Sequence, residues 1–331
     1  MLHVRFDEGE LTRLRVAERT DPLWETVLSL HLLQNRQAAS AFDPWRREVR
    51  AALERHRLVP TVRELMRLCP PAPYFPDFLT PGRGEADMET ALEQVLSTPR
   101  RRLAAELARV YACGPVPRSV RWVAEGGADA LRWLGNALRR YHQVGVAPYA
   151  AVIRAQAAAD RTRRGEAALA GGAEALLASY ATQKGWEYGG RTLRAPYPVD
   201  RELRLNGRAL TLLPGFFCVR TPLVPADESL PPVLVYPLSP APGWLARLPR
   251  GGTTPPVGQL IGSTRSQVLD LLEEPVTTTG LAVRTGLAPS TVSHHVAVLR
   301  EAGLVASRRE GVRVLHRRTP LGTALLDGPV P

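Results

Sequence analysis

The chain has 331 residues, 44% hydrophobic and 23% charged, with 27 Gly and 30 Pro; this length exceeds one usual domain, and the composition indicates many turns and excludes a disordered chain. A formal charge of +11 favours a polyanionic partner, nucleic acid ahead of an anionic membrane surface, although Lys184 is the only lysine and GC-rich coding alone produces such an Arg bias. Cys69, Cys113 and Cys218 lie far apart with no CxxC or His/Cys cluster, which excludes a disulfide framework or a structural zinc site, and without an apolar signal core or an apolar run of about 18 residues a soluble, cytoplasmic protein is expected.

In chain order, Leu2 to Phe6 reads as a short strand. Asp21-Pro22 opens a helix with an Asp cap and Pro at its first position, and Trp24, Val27, Leu28, Leu30, Leu32 and Leu33 make that helix apolar all round, as in a core. Asp43-Pro44-Trp45 is expected to open another helix in the same way. The Pro-rich run from Cys69 to Pro76 cannot be helical. Helical patterns follow at about Glu85–Leu96, Arg100–Tyr111, Ser119–Arg140, Tyr149–Arg163 and Ala173–Thr182. Between Trp186 and Pro240 the residues become strand formers, with Asn206-Gly207 as a two-residue hairpin signal, so a small antiparallel sheet is expected at about 190–240. Arg250 to Pro256 reads as a linker. The expected fold is α+β, mainly α: residues 1–248 form a helical domain with the small sheet, 249–257 a linker, and 258–327 a winged helix-turn-helix.

That last segment is the most informative. Ile261, Val268, Leu271 and Leu272 form one face of a helix expected over Gln259–Glu274, ended by Pro275. Thr277 or Thr278 caps a short second helix with Leu281 and Ala282 facing inward, Gly286 supplies a left-handed turn residue, and Leu287 is buried in the turn. Pro289 starts a third helix whose Val292, Val296 and Leu299 form the packed stripe. Ser290, Ser293, His294 and Ala297 then project outward, short or planar enough to let the backbone approach base edges, with Thr291 and Arg300 beside them for phosphates. Leu304-Val305 begins a strand, Glu310-Gly311 turns, and Val312–Arg317 returns; Arg308, Arg309, Arg313 and Arg317 crowd this hairpin. Placement rather than net charge carries the reading, because eight Arg against five acids leave residues 258–326 at +3 of the total +11.

The Ser-x-His-His segment, Leu299-Arg300-Glu301-Ala302-Gly303-Leu304-Val305 and the basic hairpin together resemble the winged helix of ArsR-type bacterial transcriptional repressors, over about a fifth of the chain. The N-terminal part, including Pro22-Leu23-Trp24-Glu25, resembles the body of regulators of this type. The resemblance implies a repressor that binds double-stranded DNA as a homodimer. The second helix lacks the paired cysteines of metal-sensing members, so no metal is expected, and the terminal dimer helix is expected to be truncated after Arg318. Ala288 in place of a capping Ser, and Gly280 inside the second helix, each cost ~1 kcal/mol.

Plainer readings stand beside these. His295 borders the packed stripe and reads as structural ahead of base-reading; the wing arginines also suit a solvated edge strand; the six Trp read mainly as core rather than as pocket walls. Neither GxxxxGK[ST] nor GxSxG is present, and no paired carboxylates or zinc ligands cluster, so no catalytic activity and no cofactor are expected. An enzyme or adapter whose winged helix serves protein contact is the alternative. The body is expected to supply dimer contacts and room for an unidentified small-molecule effector.

Overall fold

The computed structural model describes residues 1–70, 74–82, 84, 87–247, 256–310 and 313–327. The chain divides into two compact units, Met1–Arg247 and Leu248–Pro331.

The first unit opens with β1 (Leu2–Arg5), α1 (Glu8–Leu11) and β2 (Arg15–Val16). At its centre lies α2 (Pro22–Gln34), where Asp21 accepts from the Leu23 and Trp24 amides at 2.9 and 3.1 Å. Leu23, Val27 and Leu30 are at most 1% exposed, the all-round burial expected of its sequence. Two of its buried hydroxyls are paired inside the core: Thr26 Oγ1 meets His142 Nδ1 at 2.9 Å and Ser29 Oγ meets Tyr141 Oη at 2.8 Å. Around it pack α3 (Ala39–Arg55), α4 (Val59–Leu68), α5 (Met88–Leu96) and α8 (Ala128–Gly145). Between the last two run α6 (Arg100–Val110) and α7 (Arg118–Ala124), and α9 (Ala150–Ser179) follows.

Three helix expectations need correction. α3 begins at Ala39, so Pro44 lies inside it and Asp43 pairs with Arg46 at 2.7 Å instead of capping. Phe42 and Trp45, both fully buried, require a helical turn ahead of the proline. The helix expected over Ser119–Arg140 is two, α7 and α8, because Gly126 adopts φ 65° and lies against Arg100, whose Cβ a side chain there would approach to 3.1 Å. The pair Gly171-Gly172 interrupts α9, with Gly172 at φ 68°, so helix continues past Arg163 and resumes near Ala173.

The strands also differ from expectation. β3 (Glu187–Gly189), β4 (Thr192–Ala195) and β5 (Arg201–Leu203) join β1 in the order β3-β4-β1-β5, where β1 runs antiparallel to β4 but parallel to β5. β6 (Thr211–Gly215) and β7 (Val233–Pro237) pair in parallel with each other, and β6 pairs in parallel with β2. The expected single antiparallel sheet is therefore two sheets, one taking in the N-terminal strand β1 and the other β2. β6 and β7 are buried at every position, the pattern of strands covered on both faces rather than of a half-exposed hairpin. Asn206-Gly207 does turn, with φ 52° and 72°, yet its flanks enter different sheets. Glu10 Oε1 accepts from the Gly207 amide at 2.8 Å, so α1, not a strand partner, holds the turn.

An aromatic core joins Phe42, Trp45, Phe216, Phe217 and Trp244, for example Trp45 to Phe217 at 4.8 Å and Phe216 to Trp244 at 4.9 Å between ring centres. Trp24 and Trp186 are buried as well, and Cys218 is an inert core thiol pushed above its usual pKa by burial.

The second unit contains α10 (Pro256–Ile261), α11 (Ser263–Asp270), β8 (Val276–Thr277), α12 (Thr278–Thr285), α13 (Pro289–Glu301), β9 (Val305–Glu310), β10 (Arg313–Arg318) and α14 (Pro320–Asp327). Residues 249–255 of the expected linker, Gly311 of the expected turn and Val312 of the expected returning strand lie outside the described residues; 256–257 belong to α10 rather than to a linker. The first helix is broken at Gly262, φ 89°, and ends at Asp270, well before Pro275. The next element is a strand, β8, which pairs antiparallel with β10 and makes the sheet β8-β10-β9. Val268, Leu269, Leu272, Leu281, Val292 and Leu299 are at most 1% exposed and form the core of the unit, with Leu287 only partly buried beside them.

Candidate nucleic-acid interface

α13 starts at Pro289 with Ala288 extended before it and no side-chain cap. Pro289 needs no amide acceptor, which softens the missing cap. Val292, Val296 and Leu299 pin one face at 0%, 3% and 1% exposure, and helical geometry then fixes the other. Ser290, Thr291, Ser293, His294 and Arg300 are all exposed. Ser290, Ser293, His294, Ala297 and Arg300 follow one stripe, small at the N-terminal end and basic at the C-terminal end. Gly286, at φ 70°, closes the turn between α12 and α13. Gly280, a cost on helix propensity alone, has a reason: a Cβ there would approach Val276 Cγ1 to 3.0 Å, so the glycine lets α12 sit against β8.

His295, next along the helix, is half-buried with Nδ1 lacking a hydrogen-bond partner among the described residues. Desolvation, then the charges of Arg265 and His294, lower its pKa. It belongs to the packing side.

The wing register divides the four hairpin arginines. Arg308 faces Leu315, Glu310 faces Arg313, and Ala306 faces Arg317, so positions 308, 313 and 317 share one face of the ribbon. Arg309 opposes Val314 on the other face, the one that carries buried Val305 and His316 further down. Arg308, Arg309 and Arg317 are exposed; Arg308 makes one loose ion pair, 3.7 Å to Glu310, which a surface setting renders weak. Arg318, by contrast, is nearly buried, and its amide donates to the Leu272 carbonyl at 3.0 Å, so it ties the wing to the turn that follows α11.

Sequence reading overlooked His316. Only 6% exposed, it meets Thr278 Oγ1 through Nε2 at 2.9 Å and Ser307 Oγ through Nδ1 at 2.8 Å. It thereby ties the first residue of α12 to both wing strands. Desolvation, with Arg300 nearby, lowers its pKa, so the ring stays neutral and one nitrogen donates while the other accepts. The available signal was the alternation in which 314, 316 and 318 face one way while 313, 315 and 317 face the other. His316→Ala is expected to strand two partly buried hydroxyls and to destabilise the module by ~1–3 kcal/mol, with weaker DNA binding as the wing loosens. An unchanged melting temperature would show that the histidine does not hold the joint.

Residues 262–307 match the family model described as bacterial regulatory protein, arsR family. The match runs from the Gly262 break into β9, so the C-terminal module is an ArsR-type helix-turn-helix, and at that family's level it is the module of a DNA-binding regulator. No curated protein and no solved structure matches the chain. Among the described residues no helix is long and apolar enough to cross a membrane, and no group of His, Cys, Asp and Glu gathers as a metal site.

Proposed function

We propose that the protein is a sequence-specific regulator of transcription, a cytoplasmic repressor that binds double-stranded DNA as a homodimer and has no catalytic activity. The observation that carries the reading is the joint exposure of the α13 stripe and the arginine-bearing ribbon within one ArsR-type module. Short or planar side chains at Ser290, Ser293 and His294 suit base edges in a major groove, while Thr291, Arg300, Arg308, Arg309, Arg313 and Arg317 suit phosphates. Leu260 and Leu321, 75% and 59% exposed on α10 and α14, offer apolar surface to a second copy, which supports a dimer beside any contacts made by the N-terminal unit.

Selection of bound fragments from genomic DNA with the full-length protein tests the reading. Inverted half-sites spaced by about one helical turn, ~34–36 Å between recognition helices, are expected. In the same assay Arg308→Ala and Arg317→Ala should weaken binding to all sequences and each reduce the salt slope by about one. Recovery of random fragments, or wing variants with the parental slope, would favour a module that contacts protein.

A further inference from the structure

The N-terminal unit carries a surface groove of about 840 Å³ between α4 and α7, lined by Glu64, Arg67, Arg118, Ser119, Arg121, Trp122 and Glu125. Small-molecule sites usually span roughly 300–1,000 Å³.

α7 buries Val120 and Val123 completely, which turns Arg118, Arg121, Trp122 and Glu125 outward as one stripe at helical spacing. Trp122 is 39% exposed, whereas Trp24, Trp45, Trp186 and Trp244 are at most 3% exposed. A second indole braces it, Trp133 at 5.8 Å between ring centres and 54°. This is a fixed aromatic platform open to solvent.

The charges around it are unequally engaged. Arg67 Nη1 donates to both Glu64 oxygens at 2.8 Å, and Ser119 Oγ donates to Glu64 Oε2 at 2.5 Å. Glu64 is therefore satisfied and clamps the start of α7 against α4. The side chains of Arg118 and Arg121 are exposed and make no ion pair or hydrogen bond among the described residues, so with Glu64 engaged the groove lining holds two unengaged guanidiniums and one further carboxylate, that of Glu125. Planar guanidinium forks pair with carboxylate or phosphate oxygens, and a flat ring gains most by lying on an indole.

We propose that this groove binds a planar aromatic anion, its ring against Trp122 and its carboxylate or phosphate held by Arg118 and Arg121. The site goes beyond the DNA-binding reading and does not depend on it.

Calorimetric titration of the full chain tests this, with 2-naphthoate as a carboxylate probe, AMP as a phosphate probe and 2-naphthylmethanol as the uncharged control. At least one anion is expected to saturate the protein, the alcohol binding about tenfold more weakly or worse. Saturation by 2-naphthoate alone assigns the carboxylate, by AMP alone the phosphate. The double variant Arg118→Gln, Arg121→Gln, whose side chains support no packing, should melt like the parent and bind about tenfold more weakly; Trp122→Ala should do the same to affinity. Failure of both anions to saturate at millimolar concentration, or parental affinity in the arginine double variant, overturns the proposal.

Discussion

Ser293→Glu is expected to weaken DNA binding about a hundredfold while leaving the fold intact. Ser293 lies mid-stripe on α13, exposed, between buried Val292 and exposed His294. A carboxylate there adds no packing conflict within the module, and Glu is a better helix former than Ser. Against DNA it would bring a negative charge among phosphates at the closest approach of the helix. Like-charge juxtaposition of this kind costs several kcal/mol, and ~3 kcal/mol corresponds to roughly a hundredfold loss in affinity. Ser293→Ala, which removes a single hydroxyl, should lose less than about tenfold. Fluorescence anisotropy on a selected site measures both, beside thermal melts of each variant. Near-parental affinity in Ser293→Glu would remove α13 from the DNA interface.

A second large effect concerns Glu25, 2% exposed within α2. Its carboxyl oxygens accept from the Phe216 and Phe217 amides at 2.7 and 3.0 Å, so one side chain fixes the segment that leads the aromatic pair into the core. Burial dominates its titration and pushes its pKa from 4.5 to about 8, against the lowering effect of the two amides and with Asp21 adding to the rise. The folded pKa exceeds the unfolded one, so its contribution is fully present below about pH 4.5 and is lost as pH rises to about 8. The total loss is on the order of 4 kcal/mol. His31 and His142 act with the opposite sign: burial lowers both to about 4 from 6.5, so they withdraw stability as pH falls below 6.5.

Above pH 6.5 the histidines no longer contribute, which leaves a window in which the Glu25 slope is read against other carboxylates shifted up by burial, Asp77 and Glu106. Glu25→Gln should flatten the fall in melting temperature between about pH 6.5 and 8: less stable than the parent at the acid end, where an amide NH₂ faces the Phe217 amide, it should gain on the parent toward pH 8. Glu25→Ala should destabilise at every pH, because two buried amides lose their acceptor at ~1–3 kcal/mol each. Parallel melting curves for parent and Glu25→Gln across the window would place the titration elsewhere.

The winged helix was largely legible in the sequence because its signals are local. Val292, Val296 and Leu299 at helical spacing fix which side of α13 is buried, and Gly286 and Pro289 mark the turn and helix start. From these the exposure of Ser290, Thr291, Ser293, His294 and Arg300 can be derived without knowledge of the partner elements. The wing was legible as a hairpin, but the assignment of Arg309 to the face opposite 308, 313 and 317 depends on register, which Glu310-Gly311 as a turn signal does not specify. β8 and His316 were missed for a related reason. A two-residue strand has no period, and a buried histidine inside an arginine-rich ribbon reads as one more polar residue until Thr278 and Ser307 are brought to it.

In the N-terminal unit the sequence by itself determined the capped α2 with apolar residues on every side and the helical character of the body, since each rests on residues within a few positions of one another. Only the tertiary structure decided which strands pair. Asn206-Gly207 dictated a turn, but β1 and β2, nearly 200 residues earlier in the chain, took the partners that a hairpin would have used. It likewise decided that Pro44 lies within a helix, that Gly126 divides another, and that Trp122 stands at the surface while Trp45 lies in the core. Local spacing specifies a side chain's face; which face finds a neighbour is settled by long-range packing, where burial of Phe42 and Trp45 outweighs a proline's lost hydrogen bond.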